Sequence, residues 1–427
     1  MGEHTSPHDT PKRGGRHDTL PQSALPTPTP PTPSSHHQLT SSDFVFGPIL
    51  GEGLFGKVYY ARKKETSSPS SSHVAIKVAD KHHVLRRNKV QEVLRECQLL
   101  IQFATLSSPW VVRLHASFED CHHLFWVQEW CSGGSLQTFI QEGRHIVPPA
   151  HAQQKLGLLV STEQVLKWVQ SVGVQLLQAV EHIHGQGIVH GDLSANNVMF
   201  TSQGRIKIID FGCAIDVQSI MTRNQQNGGK SGAAPINVEF AGTADYVAPE
   251  IILGTAGITK RSGNPQYVDG GAGDGGTDEE EDHYLLAAID LWSFACLLYF
   301  MLVRESPFHS ETDQLAMCKI LDFVRGTQTI HWPPYSSLSH HNDHEVIKSL
   351  IHGILIEDPS LRLGSHDKVI TKKSDQYSAI RKHPFFVGAD WEDISIHLPK
   401  KETDGYRNLN QLEDMTDGAL VDFLFFA

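Results

Sequence analysis

Four polar side chains in this 427-residue sequence have the types and spacing to handle a chain of phosphates. Lys77 ends the apolar run Val74-Ala75-Ile76-Lys77. A cation there either grips phosphate oxygens or marks a solvated strand edge. Asp210 opens Asp210-Phe211-Gly212, and its carboxylate suits a hard, octahedral cation. Asn197 closes His190-Gly191-Asp192-Leu193-Ser194-Ala195-Asn196-Asn197 and offers a carboxamide oxygen to the same ion. Asp192, 18 positions before Asp210, can accept a hydroxyl proton and aim that oxygen for in-line attack. Such a set can carry phosphoryl transfer to a hydroxyl.

Two further elements must position these groups. Gly51-Glu52-Gly53-Leu54-Phe55-Gly56-Lys57-Val58 has the pattern G-x-G-x-x-G-x-V. Glycines alone make ordinary turns, and a dinucleotide loop uses a similar spacing. The sequence on both sides reads as strand, whereas a dinucleotide loop must open a helix, so a hairpin folding over phosphates is the better reading. A carboxylate must also hold Lys77, and the helical run Lys89–Phe103 offers Glu92 and Glu96. The apolar spacing of Val90, Val93, Leu94, Cys97 and Leu100 favours Glu96.

Short apolar runs predict strands at Phe44–Gly51, Lys57–Arg62, His73–Val78, Val111–Ser117 and His123–Glu129. Helices are predicted at Val165–His184, Tyr284–Val303, Gln314–Phe323 and His344–Ile356. The expected fold class is α+β and bilobal: a β-rich N-lobe with one main helix over residues 44–130, and an α-rich C-lobe over 131–386. Residues 1–43 read as a Pro/Ser/Thr-rich tail and 387–427 as a C-terminal extension, with insertions at 147–160, 218–235 and 258–282.

Composition narrows the partners. A net charge of −12 argues against a broad nucleic-acid or anionic-membrane surface. The acidic run Asp278–Asp282 reads as a solvated loop. None of the six cysteines forms a C-x-x-C pair, so free thiols in a reducing, cytoplasmic setting are expected. Tyr284–Val303 has the length of a membrane span, but Asp290 in its middle points to a buried core helix and no transmembrane segment.

Gly242-Thr243-Ala244-Asp245-Tyr246-Val247-Ala248-Pro249-Glu250, Asp290-Leu291-Trp292 and Arg362 complete an ordered series. Together with the runs above, they resemble the protein-kinase signatures. Within that superfamily the chain is similar to the 3-phosphoinositide-dependent kinase family of the AGC group. This resemblance covers about Phe44 to Pro399. It is most specific in Asp80–Val90, in Asp358-Pro359-Ser360-Leu361-Arg362-Leu363-Gly364, and in His383-Pro384-Phe385-Phe386 with Trp391.

The resemblance implies a serine/threonine kinase using ATP and Mg2+, acting on other kinases, with a nucleotide-binding scaffold without transfer as the alternative. It implies Leu50, Val58, Ala75 and Met199 around the adenine, Gln128 as gatekeeper, and hinge groups from Glu129 and Cys131, with Ser135 beyond. It implies a Glu250–Arg362 pair, Asp290 at the start of a central helix supporting the catalytic loop, and a spine of Leu100, Leu114, His190 and Phe211. A substrate-docking groove would be lined by Lys81, Val84, Leu85, Val90, Val93 and Leu124, which the terminal Phe423-Leu424-Phe425-Phe426 could also fill.

The chain departs from the family at several places. Ser194 replaces a lysine that binds the transferring phosphoryl group. Gly191 replaces an arginine that clasps an activation-loop phosphate, and Glu239 stands where the family has its phosphorylated serine. Activity independent of phosphorylation at that site is the expectation. Ser135 and Phe300 stand where arginine-seeking kinases carry glutamates, so a strong need for upstream arginine is not expected. The family's pleckstrin-homology domain has no counterpart before Ala427, and direct phosphoinositide binding is not expected.

Overall fold

The structure is a computed structural model that describes residues 39–53, 56–64, 73–142, 162–219, 242–254, 278–332, 341–365 and 377–392. Leu54, Phe55, Glu239, the expected insertion 147–160 and the Phe423–Phe426 terminus lie outside the described residues.

Strands β1 (Phe44–Gly53), β2 (Gly56–Lys63), β3 (His73–Asp80), β4 (Leu114–Glu119) and β5 (His123–Glu129) form one antiparallel sheet in the order β1-β2-β3-β5-β4. Alternation decides its faces. Val74, Ile76 and Val78 of β3 are buried with Phe44, Ala61, Phe125 and Val127, which leaves Ala75 and Lys77 on the opposite face. Val58 pairs with Lys77 across β2, so it shares that face.

Between β3 and β4 lie two helices. Asp80 caps the short α1 (Lys81–Arg86) by accepting from His83 N at 2.7 Å, a cap the apolar pattern does not reveal. The longer α2 (Val90–Thr105) buries Val93, Glu96, Leu99, Leu100 and Phe103, a stripe at helical spacing.

The second lobe begins at β6 (Gly134–Ser135) and α3 (Leu136–Gln141), followed by α4 (Thr162–His184). Four short strands follow: β7 (Ile188–Val189), β8 (Val198–Phe200), β9 (Ile206–Ile208) and β10 (Ile215–Asp216). Helices α5 (Pro249–Ile252), α6 (Asp278–Val303), α7 (Asp313–Val324), α8 (His341–Ile354) and α9 (Ser378–Arg381) complete it. From Leu285 to Val303, α6 is apolar and long enough to cross a membrane, yet 89% of it is buried inside the protein. A helix apolar on all sides belongs in the centre of a lobe.

Two expectations about this helix need correction. The acidic run Asp278–Asp282 forms its first residues and is not a loop. Asp290 therefore lies in the middle of α6 and not at its start. The strand expected from Val111 starts at Leu114, because Val111 bridges to Ile208 instead.

Polar contacts brace the lobe. Arg362, 1% exposed, donates to both oxygens of Glu250 at 2.7 and 2.6 Å, to Ala288 O at 2.8 Å, and lies over the Trp292 ring. Residues 377–392 dock on one face of α4. Gln170 donates to Phe385 O, Gln178 to Trp391 O, and Arg381 pairs with Glu181 while stacking on Trp391.

Candidate active site

The cleft between the sheet and the helical lobe collects the predicted residues. Lys77 Nζ is 2.6 Å from Glu96 Oε1 and 3.1 Å from Asp210 Oδ1. Burial works against the ammonium, but the Asp210 and Glu96 carboxylates more than offset it and raise the Lys77 pKa. Burial raises Glu96. The Lys77 charge holds Asp210 below the usual carboxylate range. Helix register chooses Glu96: it is 1% exposed on the inward stripe, whereas Glu92 pairs with Lys89 at 3.0 Å.

Asp192 faces the same space. Its Oδ1 accepts from Thr243 N at 2.9 Å, and Asn197 Nδ2 donates to its Oδ2 at 3.0 Å and to its backbone O at 2.8 Å. Burial raises its pKa against the pull of the Thr243 amide, and the nearby Asp210 charge adds to the rise. Lys77 thus contacts Asp210 directly, and Asp192 lies close enough to Asp210 for their charges to interact.

The catalytic loop hangs from α6. Asp290 Oδ2 accepts from His190 N at 2.7 Å and Oδ1 from Gly191 N at 2.9 Å. His190 donates to Ile209 O at 3.0 Å and meets the Phe211 ring edge-on. Phe103 also packs on Phe211, a neighbour that sequence spacing did not single out.

The structure gives Gly191 a reason beyond a missing phosphate partner. Its φ is +75°, and a Cβ there would lie 2.7 Å from Cys213 O. Gly56 is equally constrained, since a Cβ would meet Val78 O at 1.8 Å. Among the described residues a Cβ on Gly51 would meet nothing within 4 Å, and one on Gly53 only Gly56 O, at 3.9 Å. Glu52 and Lys57 pair across this hairpin at 3.3 Å.

The remaining predicted nucleotide positions surround this region. Leu50 is exposed, while Val58, Ala75 and Met199 are half-buried. Met199 pairs with Ser135 in the β6–β8 ladder. Ser135 is buried and its hydroxyl caps α3, accepting from Thr138 N at 3.1 Å. Phe300 lies in the core. Glu129 is tied to Lys207 at 3.2 Å, and Cys131 is buried with its thiol pushed up to about 12. Burial, with Asp192 and Asp210 nearby, pushes Cys213 up to about 12 as well, so the thiol bordering the cleft is a weak nucleophile.

The oxygen donors fit a hard divalent cation. Asp210 supplies a carboxylate that is 45% exposed, and Asn197 spends its amide nitrogen on Asp192, which leaves its carbonyl oxygen for a metal. Among the described residues no group of three or more His, Cys, Asp or Glu could hold a metal alone. Magnesium commonly takes one or two protein oxygens plus substrate phosphates, which this pair matches.

Of the expected groove residues, Val84 and Val93 lie in the core, Val90 and Leu124 are half-buried, and Leu85 is 64% exposed. Lys81 pairs with Glu119 at 2.8 Å.

Residues 44–386 match the protein kinase domain family, and the chain belongs to it. It is 30% identical over 363 residues to 3-phosphoinositide-dependent protein kinase 1 of Arabidopsis thaliana, covering 85% of this chain and 58% of that one. It is 26% identical to the Homo sapiens protein of the same name, covering 90% of this chain and 53% of that one. Serine/threonine-protein kinase sck2 of Schizosaccharomyces pombe is 28% identical over 85% of this chain and 44% of its own length. The chain thus spans about half the length of the curated relatives it matches.

Proposed function

We propose that this chain is a serine/threonine protein kinase that transfers the γ-phosphoryl group of ATP to protein hydroxyls. The observation that carries this reading is the Lys77 ammonium set between Glu96 and Asp210, with the Asp192 carboxylate near enough to feel the Asp210 charge. In this reading Lys77 grips the α and β phosphates and Glu96 holds it in place. The Gly51–Val58 hairpin covers the phosphates, and Leu50, Val58, Ala75 and Met199 enclose the adenine against the Glu129–Cys131 hinge. Asp192, oriented by Asn197 and Thr243, aims the acceptor hydroxyl and takes its proton. Asp210 and Asn197 would hold Mg2+, which when bound neutralises charge on the phosphates.

Activation segments of other AGC-type kinases are the proposed substrates, with Leu85, Val90 and Leu124 as the accessible part of a docking surface. The likeness to two proteins named 3-phosphoinositide-dependent protein kinase 1 supports kinases as partners. Six free thiols support a reducing compartment such as the cytoplasm. We propose the domain bounds 44–386, with the segments on either side as extensions.

The test is transfer of radiolabelled phosphate from magnesium-ATP to Ser- and Thr-containing activation-segment peptides, comparing wild type with Asp192→Asn. Transfer by wild type alone is expected. Equal signals, or none, would favour a nucleotide-binding scaffold.

A further inference from the structure

Behind the catalytic loop runs a chain of buried polar groups that begins outside every motif named above. We propose that Tyr377 is a positioning residue for the catalytic loop, acting through His184 and Asp290 by selecting the imidazole tautomer that presents a proton to Asp290. This inference rests on the phosphotransferase reading.

The three side chains are buried, at 2%, 1% and 1% exposure. The Tyr377 hydroxyl bonds His184 Nδ1, and His184 Nε2 lies 2.7 Å from Asp290 Oδ2. That same oxygen accepts from His190 N, and its partner oxygen accepts from Gly191 N. Burial alone would raise the Asp290 pKa, but the hydrogen bonds that it accepts from His184 and from the Gly191 amide hold it below the usual carboxylate value. Asp290 is thus a carboxylate, which only accepts, so His184 Nε2 must carry a hydrogen. In a neutral ring Nδ1 is then a bare acceptor, and the Tyr377 O–H is its donor. Without that hydroxyl, Nδ1 is a buried acceptor with no partner. Moving the proton to Nδ1 would turn the Nε2 lone pair onto a carboxylate. Either way the grip of Asp290 on the loop weakens, and Asp192 follows His190 and Gly191 directly.

The backbone supports a role beyond packing. Tyr377 has φ 56°, a left-handed conformation that a bulky residue rarely adopts. Its ring packs against Gly364, at φ +91°, where a Cβ would lie 3.3 Å from Tyr377 Cδ1 and 2.8 Å from Ile380 Cδ1. The docked segment 377–392 is anchored along the same α4 face by Gln170, Gln178 and Glu181, so the hydroxyl is delivered to His184 from a fixed direction. Phenylalanine would fill the same space and lack only the donor.

The experiment uses the full chain labelled with 15N-histidine, with His184 signals assigned by their loss in His184→Gln. In wild type, His184 is expected as the neutral tautomer protonated at Nε2. Tyr377→Phe is expected to move those nitrogen shifts and to lower kcat about tenfold through misplacement of the loop, with KM for ATP unchanged. His184→Gln, whose amide can donate to Asp290 and accept from Tyr377, is expected to recover most of the kcat that His184→Ala loses. Wild-type kcat in Tyr377→Phe, unchanged His184 shifts, or an imidazolium in wild type would overturn the proposal. Should Tyr377→Phe fail to fold, equal losses in His184→Gln and His184→Ala would do the same. Failure of the kinase reading shows separately, as a wild type that transfers no phosphate while its histidine spectrum is still readable.

Discussion

The Lys77 ammonium lies 2.6 Å from Glu96 Oε1 and so ties β3 to α2. The two residues are 19 positions apart, and both side chains are largely shielded from water. In the proposed mechanism this contact decides whether the Lys77 cation is held in place to meet the phosphates.

Glu96→Gln should therefore lower transfer by roughly a hundredfold, the scale of losing one well-placed electrostatic contact. Lys77→Met should abolish transfer and destabilise the fold by about 3–5 kcal/mol at neutral pH, because Glu96 is left as a buried, unpaired carboxylate. Radiolabel transfer and urea unfolding measure the two effects. Wild-type rates in Glu96→Gln would remove the pair from the mechanism.

Gly191→Ala should destabilise the protein by about 1–3 kcal/mol and reduce kcat, since its left-handed backbone meets Cys213 O with no room for a methyl group. Gly187→Ala is the control. It shares a positive φ, +73°, but a Cβ there meets nothing within 4 Å among the described residues. The excess loss at Gly191 over Gly187, read from urea midpoints, isolates crowding from backbone strain.

Acid should loosen the catalytic loop through Asp290. Its folded pKa lies below its unfolded value of about 3.9. The stability it contributes is complete above the unfolded value and is lost as pH falls through the folded one. Urea midpoints taken from pH 6 downwards should fall more steeply for wild type than for Asp290→Asn. Parallel curves would show that this carboxylate does not contribute.

Arg362→Ala should cost about 3–5 kcal/mol, because it removes both guanidinium bonds from the buried Glu250 carboxylate. Arg362→Lys should recover only part of this, as an ammonium cannot reproduce the two-pronged contact or the stacking on Trp292. Thermal unfolding of both variants checks the order.

Iodoacetamide at pH 7.5 should modify Cys121 and Cys318, which are exposed, and spare Cys131, Cys213 and Cys296, whose thiols burial pushes up. Peptide mass spectrometry reads the pattern. Early labelling of Cys213 would mean that the cleft is more open than the structure shows.

The sequence alone determined the residue types proposed to do chemistry. Lys77, Asp192, Asn197 and Asp210 are legible because each sits in a short run whose spacing follows from local backbone geometry, and the strand alternation around Lys77 is a local pattern too. Tertiary structure decided what depends on distance through space. It brought the Lys77 ammonium to within 2.6 Å of Glu96, the carboxylate that the apolar spacing already favoured. It gave Gly191 its need for glycine through the approach of Cys213. It joined Tyr377 to His184 across 193 positions, a contact with no signature in either neighbourhood. Spacing along a chain records which atoms can share a turn or a strand, whereas contacts between distant segments exist only once the hydrophobic core has brought those segments together.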